Sequence, residues 1–248
     1  MSDAVRLGGL ARSLLIYRAR PWLVPRLARL YAGFLRPGDL AFDIGAHVGT
    51  RTRAMLRTGA RVVALEPQRL FHAFLSRDLP AGATLLALAA GRAPGTATLS
   101  VSRLHPTLST MTDGFVGRMS AAPGFRRVRW DAAESVEVTT LDRLIAEYGQ
   151  PRFVKIDVEG GEFDVLSGLG TAIDWVAFES LPATPETSEA CLDRLCGLGR
   201  YRFNHVEGER GAFALDQWVD RATMAEILAE RPLRGGQSDV YARRVDAG

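Results

Sequence analysis

The segment from Lys155 to Glu162 is the part of the chain best suited to chemistry. It reads Lys-Ile-Asp-Val-Glu-Gly-Gly-Glu and continues the apolar pair Phe153-Val154, so a buried strand would lead directly into carboxylates and glycines. In open α/β sheets ligands gather beyond the carboxyl ends of the strands, which favours a crevice rather than a core for these acids. Lys155 is the only lysine, because all the other residues among the 31 lysines and arginines are arginine. A general preference for arginine therefore does not account for it.

A second candidate site runs from Asp43 to Gly49, which reads Asp-Ile-Gly-Ala-His-Val-Gly. It follows a predicted strand and opens a predicted helix, and its glycines allow a tight turn and a close approach of the backbone to a ligand. Glu66 ends the next predicted strand, where a carboxylate can accept both hydroxyl hydrogens of a ribose. A dinucleotide turn would have glycine where His47 stands. Asp43 would repel a diphosphate and suit a ligand with an ammonium group.

Strands and helices alternate along the chain. Strands are predicted at 40–44, 61–65, 84–89, 96–101, 136–139, 152–157, 175–179, 201–206 and 239–243, and helices at 50–57, 67–79, 141–148, 163–169, 186–198 and between the last two strands. Most of these strands are apolar throughout, which predicts a parallel sheet covered on both faces. The segment at about 92–135 is rich in glycine and proline, and we expect an insertion that faces the substrate.

Length and composition indicate one α/β domain at 37–248 with an N-terminal helical cap at 1–36. The chain has 248 residues, 47% of them hydrophobic, which is ample for one core. Pro21 and Pro25 should divide the cap into two short amphipathic helices. Such basic helices could touch a membrane surface weakly, but packing on the domain is the commoner outcome. No apolar run is long enough for a membrane helix or a signal peptide, so we expect a cytoplasmic protein.

Charge and cysteine content exclude few classes of function. The net charge of +3 permits an anionic partner, but the basic residues are dispersed and the densest patch is 126–130, so nucleic acid is not expected. Cys191 and Cys196 fall in one predicted helix without a metal-binding pattern, and we expect both thiols to be buried. The sequence does not indicate the oligomeric state.

Four motifs together resemble the FkbM family of S-adenosylmethionine-dependent methyltransferases. They are Asp43-Ile44-Gly45-Ala46-His47-Val48-Gly49, Ala64-Leu65-Glu66-Pro67, Thr140-Leu141-Asp142 and Lys155-Ile156-Asp157-Val158-Glu159-Gly160-Gly161-Glu162 with Val165-Leu166. The first two mark class I methyltransferases in general, and the lysine-led motif is more specific to the family. The resemblance implies an α/β, three-layer Rossmann-like class I methyltransferase fold. Its mostly parallel seven-stranded sheet would end in an antiparallel strand at 239–243.

The resemblance also implies roles for individual residues. S-adenosylmethionine would be held by Asp43, Gly45, Ala46, His47, Gly49, Glu66, Pro67, Ala89, Ala90 and Asp157. The catalytic candidates are Lys155, Asp157, Glu159 and Glu162, and Asp157 or Glu159 would act as the base. For Glu162 we favour a role at the start of a helix over catalysis, because an acid in the first turn complements the helix dipole. The implied acceptor is a hydroxyl of a glycan or of another small molecule, such as a secondary metabolite.

Other functions remain open at this point. The carboxylates of 157–162 could hold Mg²⁺, but the resemblance does not require a metal and we expect none. His105 in the insertion is a further candidate acid or base, and Glu179 could face the substrate or form a surface pair. A nicotinamide oxidoreductase would share the strand-turn-helix start, whereas a nucleic-acid methyltransferase would need a basic, aromatic face. A non-catalytic module would keep the fold without needing the carboxylates.

Overall fold

The computed structural model describes residues 20–102, 109–112, 117, 129–230 and 237–245. The described helices are α1 (Leu23–Tyr31), α2 (Thr50–Leu56), α3 (Arg69–Asp78), α4 (Leu141–Tyr148), α5 (Glu162–Ser167), α6 (Pro185–Leu198) and α7 (Arg221–Ala229). The strands are β1 (Leu40–Ile44), β2 (Arg61–Leu65), β3 (Ala83–Leu86), β4 (Leu88–Ala90), β5 (Gly95–Val101), β6 (Ala132–Thr139), β7 (Phe153–Ile156), β8 (Trp175–Ser180), β9 (Tyr201–Glu207) and β10 (Ser238–Arg244). His105 and most of the basic patch at 126–130 lie outside the described residues.

Seven strands form one sheet in the order β3-β2-β1-β7-β8-β10-β9. Strands β1, β2, β3, β7 and β8 pair in parallel, and β10 runs antiparallel to both of its neighbours, β8 and β9. The predicted mostly parallel sheet with an antiparallel last strand is confirmed. The strand order reverses direction between β1 and β7, and ligands of such sheets bind at this kind of switch point.

The two faces of the sheet carry separate apolar cores, because successive residues of a strand point to opposite faces. On one face Leu40, Phe42 and Ile44 of β1 pack with residues of α4, α5, α6 and α7. On the other face Ala41 packs with residues of α1 and α2. Helices on both faces explain why β1 and β7 are buried along their whole lengths.

The predicted strand at 84–89 is wrong as a single element. The chain forms β3 at the edge of the large sheet and, one residue later, β4 in a separate three-stranded sheet of order β4-β6-β5. Strand β6 begins at Ala132, four residues before the predicted start, and pairs antiparallel with β5. An apolar run does not reveal such a change of sheet, because which strand each half pairs with depends on contacts distant in sequence.

The N-terminal segment is described from residue 20 onward. Helix α1 buries Leu23, Leu27 and Tyr31 against the sheet, and it contains Pro25 without a break. Proline is tolerated there because the amides of a first helical turn have no partner within the helix. The prediction of two helices and of a separate cap at 1–36 stays a prediction, since residues 1–19 are not described. No described helix is long and apolar enough to cross a membrane.

Two further sequence features have structural outcomes. Thr140 caps α4 by accepting from the amide of Arg143 at 3.2 Å, and Asp142 accepts from the amide of Gly170 at 2.8 Å. The Thr140-Leu141-Asp142 motif therefore fastens α4 to the loop after α5.

The cysteine prediction is half wrong: Cys191 is buried in α6, but Cys196 is exposed because it lies on the outer side of the same helix.

Candidate active site

The turn after β1 is shaped by backbone contacts with the end of β7. Gly45 has φ +89°, and a Cβ there would lie 1.9 Å from the carbonyl oxygen of Asp157. Gly49 has φ +77° and abuts the side chains of Arg53 and Leu75. The glycines were predicted to let the backbone approach a ligand; the structure shows that Gly45 lets the turn after β1 approach the turn after β7.

His47 lies in the middle of this turn with φ +50°, a conformation in which asparagine and histidine are enriched among non-glycine residues. Its ring meets the ring of Phe71 edge-on with centroids 4.2 Å apart. Burial lowers the pKa of His47 to about 4. The imidazole is therefore uncharged at neutral pH and forms part of the wall of the cleft.

Glu66 lies at the end of β2 and faces the turn. Its two carboxylate oxygens accept from the amides of His47, at 2.7 Å, and Gln68, at 2.9 Å. Burial raises the pKa of Glu66 to about 8 in spite of these hydrogen bonds. Each oxygen retains a second lone pair, so the carboxylate is held in place and can still accept from a ligand.

Asp43 is completely buried and does not line the cleft. One oxygen accepts from the hydroxyl of Thr52 at 2.5 Å, and the other has no hydrogen-bond partner among the described residues. Burial raises the pKa of Asp43. Asp43 therefore lies behind the turn, on the side of β1 that faces α2, and its predicted contact with a cofactor stays a prediction.

A network of four charged side chains joins the ends of β7 and β10 to α2. The Lys155 ammonium lies 3.0 Å from Asp239 and 3.6 Å from Asp157. The Arg51 guanidinium lies 3.1 Å from Asp239 and 3.3 Å from Asp157. Two cations thus face two carboxylates in an almost dry environment, where such pairs act strongly if every member has a partner.

Lys155 was predicted to orient or deprotonate an acceptor, and its placement corrects this. Its side chain is 0% exposed and donates to the carbonyl of Ile156 at 2.9 Å. Burial alone would lower its pKa, but Asp157 and Asp239 outweigh it and the pKa is raised. This placement lets the charged ammonium hold Asp157 in position, while direct contact with an acceptor would require the side chain to leave its enclosure.

Glu159 faces the cleft because the backbone turns after β7. The extended conformation ends at Ile156, and Glu159 has φ +54°. Its carbonyl accepts from the hydroxyl of Thr110 at 2.7 Å, which fixes this unusual backbone conformation. Burial, with Asp157 and Glu162 nearby, raises the pKa of Glu159 well above its usual value.

Glu162 folds back onto the loop that precedes it. Its carboxylate accepts from the amides of Val158, at 3.2 Å, and Gly160, at 3.1 Å. Burial raises its pKa to about 7. Because both contacts are to backbone and the side chain does not line the cleft, Glu162 shapes the loop that presents Glu159. This position agrees with the role at the helix start that the sequence favoured, and a catalytic role of Glu162 stays a prediction.

Glu179, at the end of β8, fits neither of its predicted alternatives. It is 4% exposed, so it forms no surface pair, and it does not line the cleft directly. One of its oxygens has no hydrogen-bond partner among the described residues. Ligand-capable oxygens of Glu179, Asp157 and Glu159 all lie within 4.8 Å of one another.

Several of the predicted site residues line one cleft at the switch point. Its lining includes the predicted residues Gly45, Ala46, His47, Glu66, Pro67, Ala89, Ala90, Asp157 and Glu159. Sequence reasoning missed Arg51, Gln68, Phe71, Met111 and Gln237, which also line it. Only Arg51 had a readable signal, since it lies in the first turn of the helix after the glycine turn. The other four carry no motif.

The raised pKa of Glu66 predicts a pH dependence of stability. The pKa of the Glu66 carboxyl is about 8 in the folded state and 4.5 as its ordinary value. Its contribution to stability is therefore complete below pH 4.5 and is lost as the pH rises to about 8. His47 acts oppositely, but only below its ordinary value of 6.5. We therefore expect the free energy of unfolding to fall from pH 6.5 to 8.5. Urea denaturation across this range should show a smaller fall in Glu66→Gln; an equal fall would contradict the assignment.

The sheet order, the glycine turn after β1 and the acid at the end of β2 define a class I, Rossmann-like methyltransferase fold. The chain belongs to the FkbM family of S-adenosylmethionine-dependent methyltransferases, because the model of the methyltransferase FkbM domain matches residues 43–190. This membership removes the basis for the oxidoreductase alternative.

Individual relatives are more distant. The hexuronic acid methyltransferase AglP of Haloferax volcanii is 31% identical over 144 residues, which are 56% of this chain and 54% of AglP, so the match spans about half the length of that relative. Among solved structures, the precorrin-6y C5,15-methyltransferase of Geobacter metallireducens is 12% identical, with 88% of each chain covered and a TM-score of 0.45. A TehB-like SAM-dependent methyltransferase of Corynebacterium glutamicum is 10% identical, with 88% and 87% covered and a TM-score of 0.43.

Proposed function

We propose that the chain binds S-adenosylmethionine in this cleft and methylates a hydroxyl group of a glycan or a secondary metabolite. The observation that supports this best is the charge distribution of the cleft. Its one described cation, Arg51, already pairs with Asp157 and Asp239. A diphosphate would find no uncommitted positive charge there, whereas a sulfonium and an ammonium would meet the carboxylates of Asp157 and Glu159.

The residues along the cleft fit the parts of this cofactor in order. The carboxylate of Glu66 would accept from the ribose hydroxyls, and the apolar side chains of Leu88, Ala89 and Met111 would enclose the adenine. Asp157 would lie at the methionine end. When bound, the cofactor supplies a methyl group on a positively charged sulfur, which an oxygen nucleophile displaces in line. The protein's part is to hold the nucleophile in contact with that methyl group and to remove a proton.

Between the two candidate bases, the structure favours Glu159. Asp157 is engaged by Arg51 at 3.3 Å and Lys155 at 3.6 Å, and ion pairs reduce the basicity of a carboxylate. Glu159 lines the same cleft and takes part in no ion pair in the described chain. We therefore assign proton removal from the acceptor hydroxyl to Glu159 and orientation of the cofactor's methionine end to Asp157.

The glycan acceptor is proposed from the similarity to AglP, whose name describes methylation of a hexuronic acid. A hexuronic acid carries a carboxylate as well as hydroxyl groups. The acidic end of this cleft does not favour a second anion by itself. A neutral sugar hydroxyl is accordingly the acceptor that the described residues suit best.

Binding of S-adenosylmethionine should depend on Glu66. We expect calorimetric titration to show binding of S-adenosylmethionine and S-adenosylhomocysteine and none of NADH, with the affinity at least about tenfold weaker in Glu66→Gln because hydrogen bonds with the ribose hydroxyls are lost. Glu147→Gln, an exposed acid on α4, is the matched control and should bind normally. Binding of NADH alone, or unchanged affinity in Glu66→Gln, would refute the proposed site.

Methyl transfer is tested separately. Release of S-adenosylhomocysteine should be measured against a panel of neutral hexoses, hexuronic acids, phenolic alcohols, amines and thiols. Turnover with a sugar hydroxyl supports the proposal. Turnover confined to amines or thiols would contradict O-methylation while leaving the cofactor site intact.

A further inference from the structure

We infer that Asp157, Glu159 and Glu179 form a binding site for a hard divalent cation, of the Mg²⁺ or Ca²⁺ type, at the end of the cleft. This differs from the metal-free site expected from the sequence. It also differs in composition from the carboxylates that the sequence places together, because Glu162 is turned towards backbone amides and Glu179 takes its place. The site is inferred from the geometry, charge and burial of these residues and does not depend on the proposed methyl transfer.

Geometry is the first argument. The three ligand-capable oxygens lie within 4.8 Å of one another. Opposite oxygens around Ca²⁺ are separated by about 4.6–5.2 Å, and around Mg²⁺ by about 4.0–4.2 Å, since the bond lengths are 2.3–2.6 and 2.0–2.1 Å. No pair of the three oxygens is therefore farther apart than two ligands of one Ca²⁺ can be, and for Mg²⁺ a pair at this limit would have to close by less than about 1 Å. Carboxylate oxygens are the ligands that both ions prefer.

Charge is the second argument. In the described part of the chain, the ion pairs of Arg51 and Lys155 at this corner are made with Asp157 and Asp239. No described ion pair reaches Glu159 or Glu179. Two carboxylates therefore lie beside a balanced network without a cation of their own, and one divalent ion would offset both. Leaving such groups without a counter-charge is unfavourable.

The third argument comes from Glu179 itself. It is 4% exposed, and one of its oxygens makes no hydrogen bond to any described residue. Buried polar atoms are almost always satisfied, and an orphaned one commonly marks an ion or water that belongs to the site. Its position opposite Asp239 in the β8–β10 pair holds it rigidly beside Asp157.

The bound cation would complement the proposed chemistry. Asp157 and Glu159 line the cleft, so the ion would have open coordination positions for acceptor oxygens, including the carboxylate of an acidic sugar. The cation would lower the basicity of Glu159, as ion pairs do for Asp157, but it would also lower the pKa of an acceptor hydroxyl bound to it. The second oxygen of Glu159 could then still receive the hydroxyl proton.

The test is direct titration of the full chain, freed of metal with a chelator, with MgCl2 and with CaCl2. We expect saturable binding at one site, with an affinity at least about tenfold weaker in Glu179→Gln. Loss of a hydrogen bond to a metal ligand already weakens metal binding by about tenfold or more, and loss of a ligand itself should weaken it further. Asp164→Asn, an exposed acid of α5 that pairs with Arg92 outside the cluster, is the matched control and should bind as the wild type does.

Thermal unfolding gives an independent measurement. The cation should raise the Tm of the wild type and of Asp164→Asn but not that of Glu179→Gln or Glu159→Gln. The inference is overturned by absence of saturable binding in the wild type, or by equal binding in Glu179→Gln. Titration of S-adenosylmethionine in the presence of chelator separates the two proposals. If the chain binds S-adenosylmethionine but shows no saturable metal binding, only this inference is refuted. If it binds the metal but not S-adenosylmethionine, only the proposed function is refuted.

Discussion

Replacement of Lys155 by alanine is expected to lower the free energy of unfolding by about 3–5 kcal/mol, the usual effect of removing one partner from a buried ion pair. The ammonium is fully enclosed and lies 3.0 Å from Asp239, which is itself 5% exposed. Without it, two carboxylates would share Arg51 alone. Urea denaturation at neutral pH measures the loss.

Controls separate charge from packing at this position. Lys155→Met keeps most of the side-chain volume and should be almost as unstable as Lys155→Ala, whereas the double variant Lys155→Met with Asp239→Asn should recover part of the stability. Arg92→Ala removes an exposed ion pair with Asp164 and should change the free energy by about 0–1 kcal/mol at most. A loss in Lys155→Ala as small as that of Arg92→Ala would contradict the network.

The second large effect is expected from Gly45→Ala. Its Cβ would lie 1.9 Å from the carbonyl oxygen of Asp157, so the β1 and β7 turns must separate. Overpacking of about 1–3 kcal/mol and a strained positive φ of about 1–3 kcal/mol together predict a loss of about 2–6 kcal/mol. The variant should also bind S-adenosylmethionine poorly, because Glu66 and Asp157 are positioned by these turns.

Gly38→Ala is a matched control for Gly45→Ala. Gly38 has nearly the same φ, +88°, but a Cβ there meets no atom within 4 Å. It should therefore show the strain alone. The difference between the two variants in the free energy of unfolding measures the contact with Asp157. If both lost the same amount, the close approach of the turns would have no energetic role.

The placement of β10 shows why the site was only partly predictable. The segment 239–243 was recognised as a last antiparallel strand, but nothing local indicates that Asp239 would lie beside Lys155. That contact exists because β10 inserts between β8 and β9 in the sheet. A contact between residues so far apart in the chain depends on strand order, which periodicity does not encode.

The carboxylates after β7 were also only partly predictable from the sequence. Composition located the acidic corner correctly, since Asp157, Glu159 and Glu162 follow one apolar strand. Their roles depend on where the backbone turns after Ile156, because a left-handed Glu159 faces the cleft and Glu162 bonds back to amides. Side-chain direction in a loop follows from its dihedral angles, and these are set by contacts such as that of Thr110.

The amino-acid sequence by itself determined the α/β class with a parallel sheet and the two motifs that meet at its switch point, and the family resemblance added the seven-stranded sheet. The class and the motifs follow from apolar strands, from glycines at the β1 turn and from acids at strand ends, all of which act over a few residues. Only the tertiary structure decided that Lys155 is enclosed, that Arg51 and Asp239 complete its network, and that Glu179 replaces Glu162 in the acidic cluster. The reason is physical: burial and charge pairing are set by neighbours in space, and here those neighbours come from different strands and helices.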